Sequence, residues 1–232
     1  MTMHEASDTA ATLSPPGAWR SIVTDASSDQ RLFKDVPWGK PMMWIFLLSD
    51  TFIFGSFLIS YMTVRMSTTV PWPNPSEVFA LHVGATNVPL LLIAIMTFIL
   101  ISSSGTMALA VKFGYEKNRK VTAILLVLTA VLGASFVGMQ AFEWTKLIVD
   151  EGIRPWGNPL GAEQFGASFF MITGFHGMHV SAGVLYLSVV ARRVLAGRYD
   201  KSGNYDIVEI AGLYWHFVDL VWVFIFALFY LW

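Results

Sequence analysis

The sequence contains no cysteine, which excludes disulfides, thiolate metal sites and a cysteine nucleophile. Charge is scarce as well: 13% of the 232 residues are Asp, Glu, Lys or Arg, against the ~25% usual in a soluble globular domain. That deficit excludes an ordinary soluble domain. Fifteen Lys and Arg against sixteen Asp and Glu leave a formal net charge of -1, without the cationic surplus that binding to phosphate backbones requires, so nucleic acid is not a partner. No Ser/His/Asp arrangement, phosphate-binding glycine loop or His-Glu-x-x-His motif is present. No internal repeat is evident, which weighs against an inverted-repeat transporter.

Apolar sequence dominates instead, with 55% hydrophobic residues and a mean hydropathy of +0.57. Residues 1–41 read as a polar cytoplasmic tail, with no apolar run long enough for a signal-peptide core. Residues 42–232 read as one all-α polytopic membrane domain. Its five transmembrane helices are expected at about 42–64, 82–111, 121–147, 165–191 and 211–232, each long enough to cross a bilayer. Twelve of the fifteen Lys and Arg fall in the tail and in the loops around Lys117 and Arg198; only Arg65, Lys146 and Arg154 fall on the other side. By the positive-inside rule the N-terminus is cytoplasmic and Trp232 lies outside. Trp38, Trp44, Trp72, Trp144, Trp156 and Trp232 sit at or near the expected span ends, where amphipathic rings favour the headgroup layer.

Ionisable groups are costly in hydrocarbon and face a bundle interior, water or headgroups. Within the expected spans they are Asp50, Glu143, His176, His179, His216 and Asp219. At ~1.5 Å per residue, Asp50 and Asp219 each lie ~12 Å from the cytoplasmic ends of their helices. Together with the three histidines they fit one network in the inner half of a bundle. Asn87, Gln140 and Glu143 fit a separate outer polar layer, Gln140 being one turn from Glu143. His176 and His179 share a helix face, as do His216 and Asp219. Three imidazoles and a carboxylate suit a transition metal; the alternative is that they are polar contacts between packed helices. The small residues Gly174, Gly177, Ser181 and Gly183, which allow close helix approach, fit the second reading. Glu143 reads either as a proton-relay carboxylate or as an interfacial group.

The stretch Thr173-Gly174-Phe175-His176-Gly177-Met178-His179-Val180, followed by Gly183, resembles one signature helix of subunit III of the haem–copper terminal oxidases. Tyr214-Trp215-His216-Phe217-Val218-Asp219-Leu220-Val221-Trp222, with Tyr230, resembles the other. Leu48-Ser49-Asp50 with Tyr61, and Gly133, Gly138, Gln140 and Glu143, are similar to that family too. Five spans match its short bacterial form, which lacks the first two helices of the seven-helix form. The resemblance implies a non-catalytic component of the bacterial inner membrane, packed on subunit I and accompanied by subunit II. It implies that haem and copper belong to those partners, that this chain holds no metal, and that it binds phospholipid and supports proton uptake. His176, His179, His216 and Asp219 would then be structural. Many members carry a glutamate where this chain has Asn87, in Asn87-Val88-Pro89-Leu90-Leu91, so a proton-buffering role for that carboxylate does not transfer. The leading expectation is a subunit of a proton-pumping oxidase of the cytochrome c oxidase type. The alternatives are subunit III of a quinol oxidase, the related protein of a nitric oxide reductase system, and a free-standing transporter.

Overall fold

Helix α1 runs Gly39–Ser67. Pro41 falls in its first turn, where a missing N–H costs no intrahelical bond. Pro71, Pro73 and Pro75 follow its end and keep the chain irregular up to the one-turn helix α2 (Pro75–Val78), which is capped by Asn74 accepting from Ser76 N. The computed structural model describes residues 36–83, 86–199 and 205–232. The expected tail therefore lies, up to residue 35, outside the described residues. All the elements named here belong to the unit from Gly39 to Trp232.

Strands β1 (Ala80–Val83) and β2 (Thr86–Pro89) pair antiparallel, with Ala80 opposite Pro89 and Val83 opposite Thr86. This corrects the span expected over 82–111, because helix α3 begins only at Leu91 and runs to Tyr115. The apolar run His82–Leu91 is long enough for a helix, but Pro89 cannot donate within one. Leu90 also adopts a left-handed φ of 57°, which breaks any continuous helix at that point. Hydropathy registers burial here without distinguishing strand from helix.

Helix α4 (Arg119–Val149) follows three residues later, with Asn118 as its cap. Helix α5 (Glu163–Leu195) stops at Ala196. Gly197, with φ 68°, lets Arg198 N return to the Arg193 carbonyl, the left-handed closure common at helix ends. Helix α6 (Asp206–Phe226) continues as a π-helical turn over Ala227–Leu231. At most of their ends the five long helices run two to five residues past the limits expected from hydropathy. Apolar character stops at the edge of the hydrocarbon, whereas the helix continues until a cap or a glycine ends it.

Among the described residues, five helices are long and apolar enough to cross a membrane. Helices α3, α4, α5 and α6 pack in a closed ring, each on the next, with α6 returning to α3, while α1 leans on α6 and α5. Phe52, Ile59, Phe98, Ile124 and Leu185 are exposed around this perimeter, as a lipid-facing surface requires. Trp215, Trp222, Phe136, Met96 and Met107 fill the centre. Trp215 fixes how closely the ring closes. Its indole lies where a Cβ on Gly133 of α4 or on Gly183 of α5 would stand, at 2.3 Å and 2.9 Å, and its Nε1 donates to Ser103 Oγ of α3 at 3.0 Å.

Candidate functional site

Most hydroxyls in the spans are satisfied on their own helix. Thr51, Ser56, Thr97, Ser102, Thr129, Thr173, Ser181 and Ser188 each donate to the carbonyl four residues back, which leaves no open donor in a medium without water. The information about helix pairing is carried by the larger polar groups. These divide into separate clusters rather than one network.

In the first cluster, His179 of α5 meets Asp50 of α1. His179 Nδ1 lies 2.8 Å from the Phe175 carbonyl; a carbonyl only accepts, so Nδ1 carries a proton and Nε2 is the atom turned toward Asp50. Nε2 is 3.0 Å from Asp50 Oδ2. The contact lies off hydrogen-bond alignment, leaving Oδ2 without an aligned donor among the described residues. It is therefore a short polar contact rather than a directed bond. Phe54 and Phe175 shield it, with ring centroids 5.5 Å and 4.7 Å from that of His179. Tyr214 of α6 donates to the His179 carbonyl at 2.9 Å, so three helices meet at this residue.

His176, three residues earlier, does not join that contact. It is 1% exposed, stacks on Trp222 at 5.4 Å and meets Phe54 and Phe136 edge-on. Neither of its nitrogens has a hydrogen-bond partner among the described residues. His216 belongs to a third place: its Nδ1 lies 2.6 Å from Ser104 Oγ of α3. Asp219 adjoins that pair and is 8% exposed, with neither carboxyl oxygen hydrogen-bonded among the described residues. The Ser104 hydroxyl lies near both side chains: it donates to His216 Nδ1 when that nitrogen is bare, and is free to turn to Asp219 when Nδ1 carries the proton. The structure also moves Asp219 deeper. Helix α6 starts at Asp206 rather than 211, so Asp219 lies ~20 Å from that end and ~18 Å from Leu231 at ~1.5 Å per residue. Among the described residues no group of three or more His, Asp or Glu side chains comes together as a metal site.

The second expected layer is partly assembled. Gln140 Nε2 and the Tyr230 hydroxyl donate to the same Glu143 oxygen, at 2.9 Å and 3.0 Å, and Glu143 is 3% exposed. The π-helical turn at the end of α6 carries Tyr230 to this position, in line with the habit of π-turns to mark special sites. Beside Glu143, Val78, Phe79, Leu92 and Lys146 enclose a cavity of ≈ 10 Å³, about the space of one water. Lys146 Nζ donates to the Ala80 carbonyl and ties the β1–β2 hairpin to α4. The backbone of Asn87 lies in β2; its side chain lies outside the described residues.

Sequence reasoning passed over several residues that fasten the bundle. Trp222 donates to Thr97 at 3.1 Å, Trp144 to Thr173 at 3.3 Å, and Thr106 meets Thr129 at 2.8 Å. At the Gly39 end, Lys40 Nζ lies 2.7 Å from Glu209 and 3.7 Å from Asp206, and Tyr115 of α3 donates to Glu209. An opposite-charge pattern at facing helix ends was the available signal for that clamp; nothing in the sequence spacing marked Ser104.

The family model described as cytochrome c oxidase subunit III matches residues 18–232. Among curated proteins, cytochrome c oxidase subunit 3 of Alkalihalophilus pseudofirmus is 34% identical, over 81% of this chain and 84% of its own length. A Staphylococcus epidermidis protein named "Probable quinol oxidase subunit 3" is 32% identical, over 81% of this chain and 86% of its own length. The Staphylococcus aureus protein of the same name matches to the same extent. Signature motifs, five spanning helices and a match that reaches from the tail to Trp232 agree: the chain belongs to the cytochrome c oxidase subunit III family.

Proposed function

We propose that this subunit III works in the bacterial inner membrane, packed on the catalytic subunit I of a proton-pumping haem–copper oxidase, with subunit II beside it and the haems and coppers held by those partners. The observation that carries a scaffolding role is where the intramembrane polar groups go. Trp215–Ser103, Trp222–Thr97, Tyr230–Glu143 and His179–Asp50 each join two helices, so these groups fasten the bundle instead of lining a substrate path. Lys and Arg concentrate at the Lys40 end of the bundle, which supports a cytoplasmic N-terminus and an outer C-terminus. Bound phospholipid belongs to the same reading. Val127, Ala130, Val131, Val184 and Leu195 line an apolar groove between α4 and α5 that ends at Arg192, a shape and charge suited to an acyl chain below an anionic headgroup.

The test is to purify the tagged chain from its native membrane and record a reduced-minus-oxidised spectrum. A haem protein is expected to accompany it, and oxygen uptake is then assayed with reduced cytochrome c and with a quinol, since the relatives bear both names. A haem partner that consumes nitric oxide instead would move the chain to the reductase system. A chain that brings down no haem protein would overturn the reading. Phospholipid retained by the washed complex, and lost on changing Arg192 to Ala, would be seen by mass spectrometry.

A further inference from the structure

Among the polar groups that helix packing leaves without a hydrogen-bond partner, Asp219 lies at a recess between α3 and α6. Leu100, Ile101, Ser104, His216, Asp219 and Val223 surround ≈ 240 Å³ at the side of the bundle. Its rim is open: Ile101 is 57% and Leu220 54% exposed. Asp219 lines the recess with both carboxyl oxygens unpartnered among the described residues, and it lies near the middle of its helix. At that depth headgroups and bulk water are about half a hydrocarbon core away, ~15 Å, and acyl chains carry no hydrogen-bond donor.

We propose that this recess seats a transmembrane helix of another chain, which supplies a hydrogen-bond donor to Asp219; in the oxidase reading, on which this rests, that chain is the haem-bearing subunit. Intramembrane carboxyl groups face a bundle interior, water or a partner, and this one, 8% exposed, lies buried in the wall of the recess. The wall beside it is shaped for close backbone approach. Gly105 and Ala108 of α3 are exposed on the face that carries Ile101 and Ser104, and a Cβ added to Gly105 would meet nothing within 4 Å. Small residues next to a polar group are the usual furnishing of a helix–helix contact in membranes. A carboxyl acceptor selects a donor on the incoming helix: Arg, Lys, Trp, Ser, Thr, Asn or Gln. A second copy of this chain seated symmetrically on the recess would bring another Asp219 to the same place, an acceptor facing an acceptor.

The experiment uses the full chain in its native membrane. A photoreactive benzophenone residue is placed at position 101 or 220 on the recess rim, and at 124 or 185 on the exposed faces of α4 and α5. Illumination is expected to crosslink positions 101 and 220 to a different polypeptide, with yields ~10-fold above those from 124 and 185. Asp219→Leu should cut that yield by ~10-fold per chain present, as expected when one member of a buried hydrogen-bonded pair is truncated, while Asp219→Asn should keep most of it. Should Asp219→Leu remove the chain from the membrane, the crosslinks made with Asp219 intact decide. Crosslinks from the rim to lipid alone, or to a second copy of the chain, would overturn the proposal, as would a yield unchanged by Asp219→Leu. A haem subunit captured from 124 or 185 instead would sink the docking face and leave the oxidase reading standing. A rim partner without haem would do the reverse.

Discussion

The indole of Trp215 rests against the bare Cα of Gly133: a Cβ at that position would stand 2.3 Å from Cη2 and 2.8 Å from Cζ2. Both atoms belong to a rigid ring that is itself held by Ser103 and fully buried, so the ring has nowhere to move. Gly133→Ala is therefore expected to destabilise the chain by ~1–3 kcal/mol, the usual cost of overpacking a filled core. Gly177→Ala, where an added Cβ meets nothing within 4 Å, should change stability by no more than ~0.5 kcal/mol. Denaturant titration in detergent, followed by tryptophan fluorescence, compares the two. Equal effects at both positions would refute the wedge.

Tyr230 and Gln140 donate to the same oxygen of Glu143. Removing the hydroxyl by Tyr230→Phe leaves one donor in place and should cost ~1 kcal/mol. Gln140→Leu should cost about as much for the same reason. Making both changes strips a buried carboxyl of both donors, so the double variant should lose more than the sum of the single losses. The same titration checks this, and strict additivity would mean that the cavity beside Glu143 supplies a third donor.

The Lys40 clamp is a weaker fastening. Its charged ends are about a quarter exposed, and exposed ion pairs are worth ~1 kcal/mol or less. Lys40→Met should therefore lower stability by at most ~1 kcal/mol in low salt, and the difference from the parent chain should disappear near ~1 M salt, where the Debye length falls to ~3 Å. A loss that persists in high salt would show that Lys40 acts through packing of its aliphatic stem.

The five spans were legible because their cause is local: ~20 apolar residues in a row cross a bilayer whatever surrounds them. The hairpin at Ala80–Pro89 was not, because its ten residues are apolar enough to extend the next helix and only the left-handed Leu90 separates the two. For the site, residue type was readable and pairing was not. His, Asp and Glu in hydrocarbon declare themselves by cost, but i, i+3 spacing says only that His176 and His179 share a face. The side chains diverge all the same, one into an aromatic box and the other onto Asp50, because each is claimed by a different neighbouring helix. Asp219 was expected beside His179 or His216; α6 is turned so that Asp219 shares the α3-side recess with His216, while His179 goes to Asp50. That rotation is fixed by Trp215 entering the ring between Gly133 and Gly183, a long-range packing event with no signature in the α6 sequence itself.

The Asp50–His179 contact gives the sharpest test of how α1 is held. Helix α1 stands outside the ring and has polar attachments to it along its length: Lys40 at one end, Asp50 in the middle, and near the other end Tyr61, which donates to the Leu228 carbonyl at 3.3 Å, and Arg65, which donates to the Trp232 carbonyl at 2.6 Å. The middle one is largely buried, its side chains 6% and 13% exposed, but it lies off hydrogen-bond alignment. A double-mutant cycle with Asp50→Asn and His179→Gln isolates it, since both substitutions keep polar side chains of similar size. Polar contacts between membrane helices average ~0.6 kcal/mol and reach ~1.7 kcal/mol, and the interaction energy is expected in that range. Breaking one side of a fully sealed charge pair costs ~3–5 kcal/mol, so a term above ~3 kcal/mol would mean that imidazolium and carboxylate are locked as ions. A term near zero would mean that Phe54 packing on Phe175, with centroids 5.2 Å apart, holds α1 to α5 without help from the Asp50–His179 contact. In that case Phe54→Ala, rather than Asp50→Asn, should release α1 to protease in detergent.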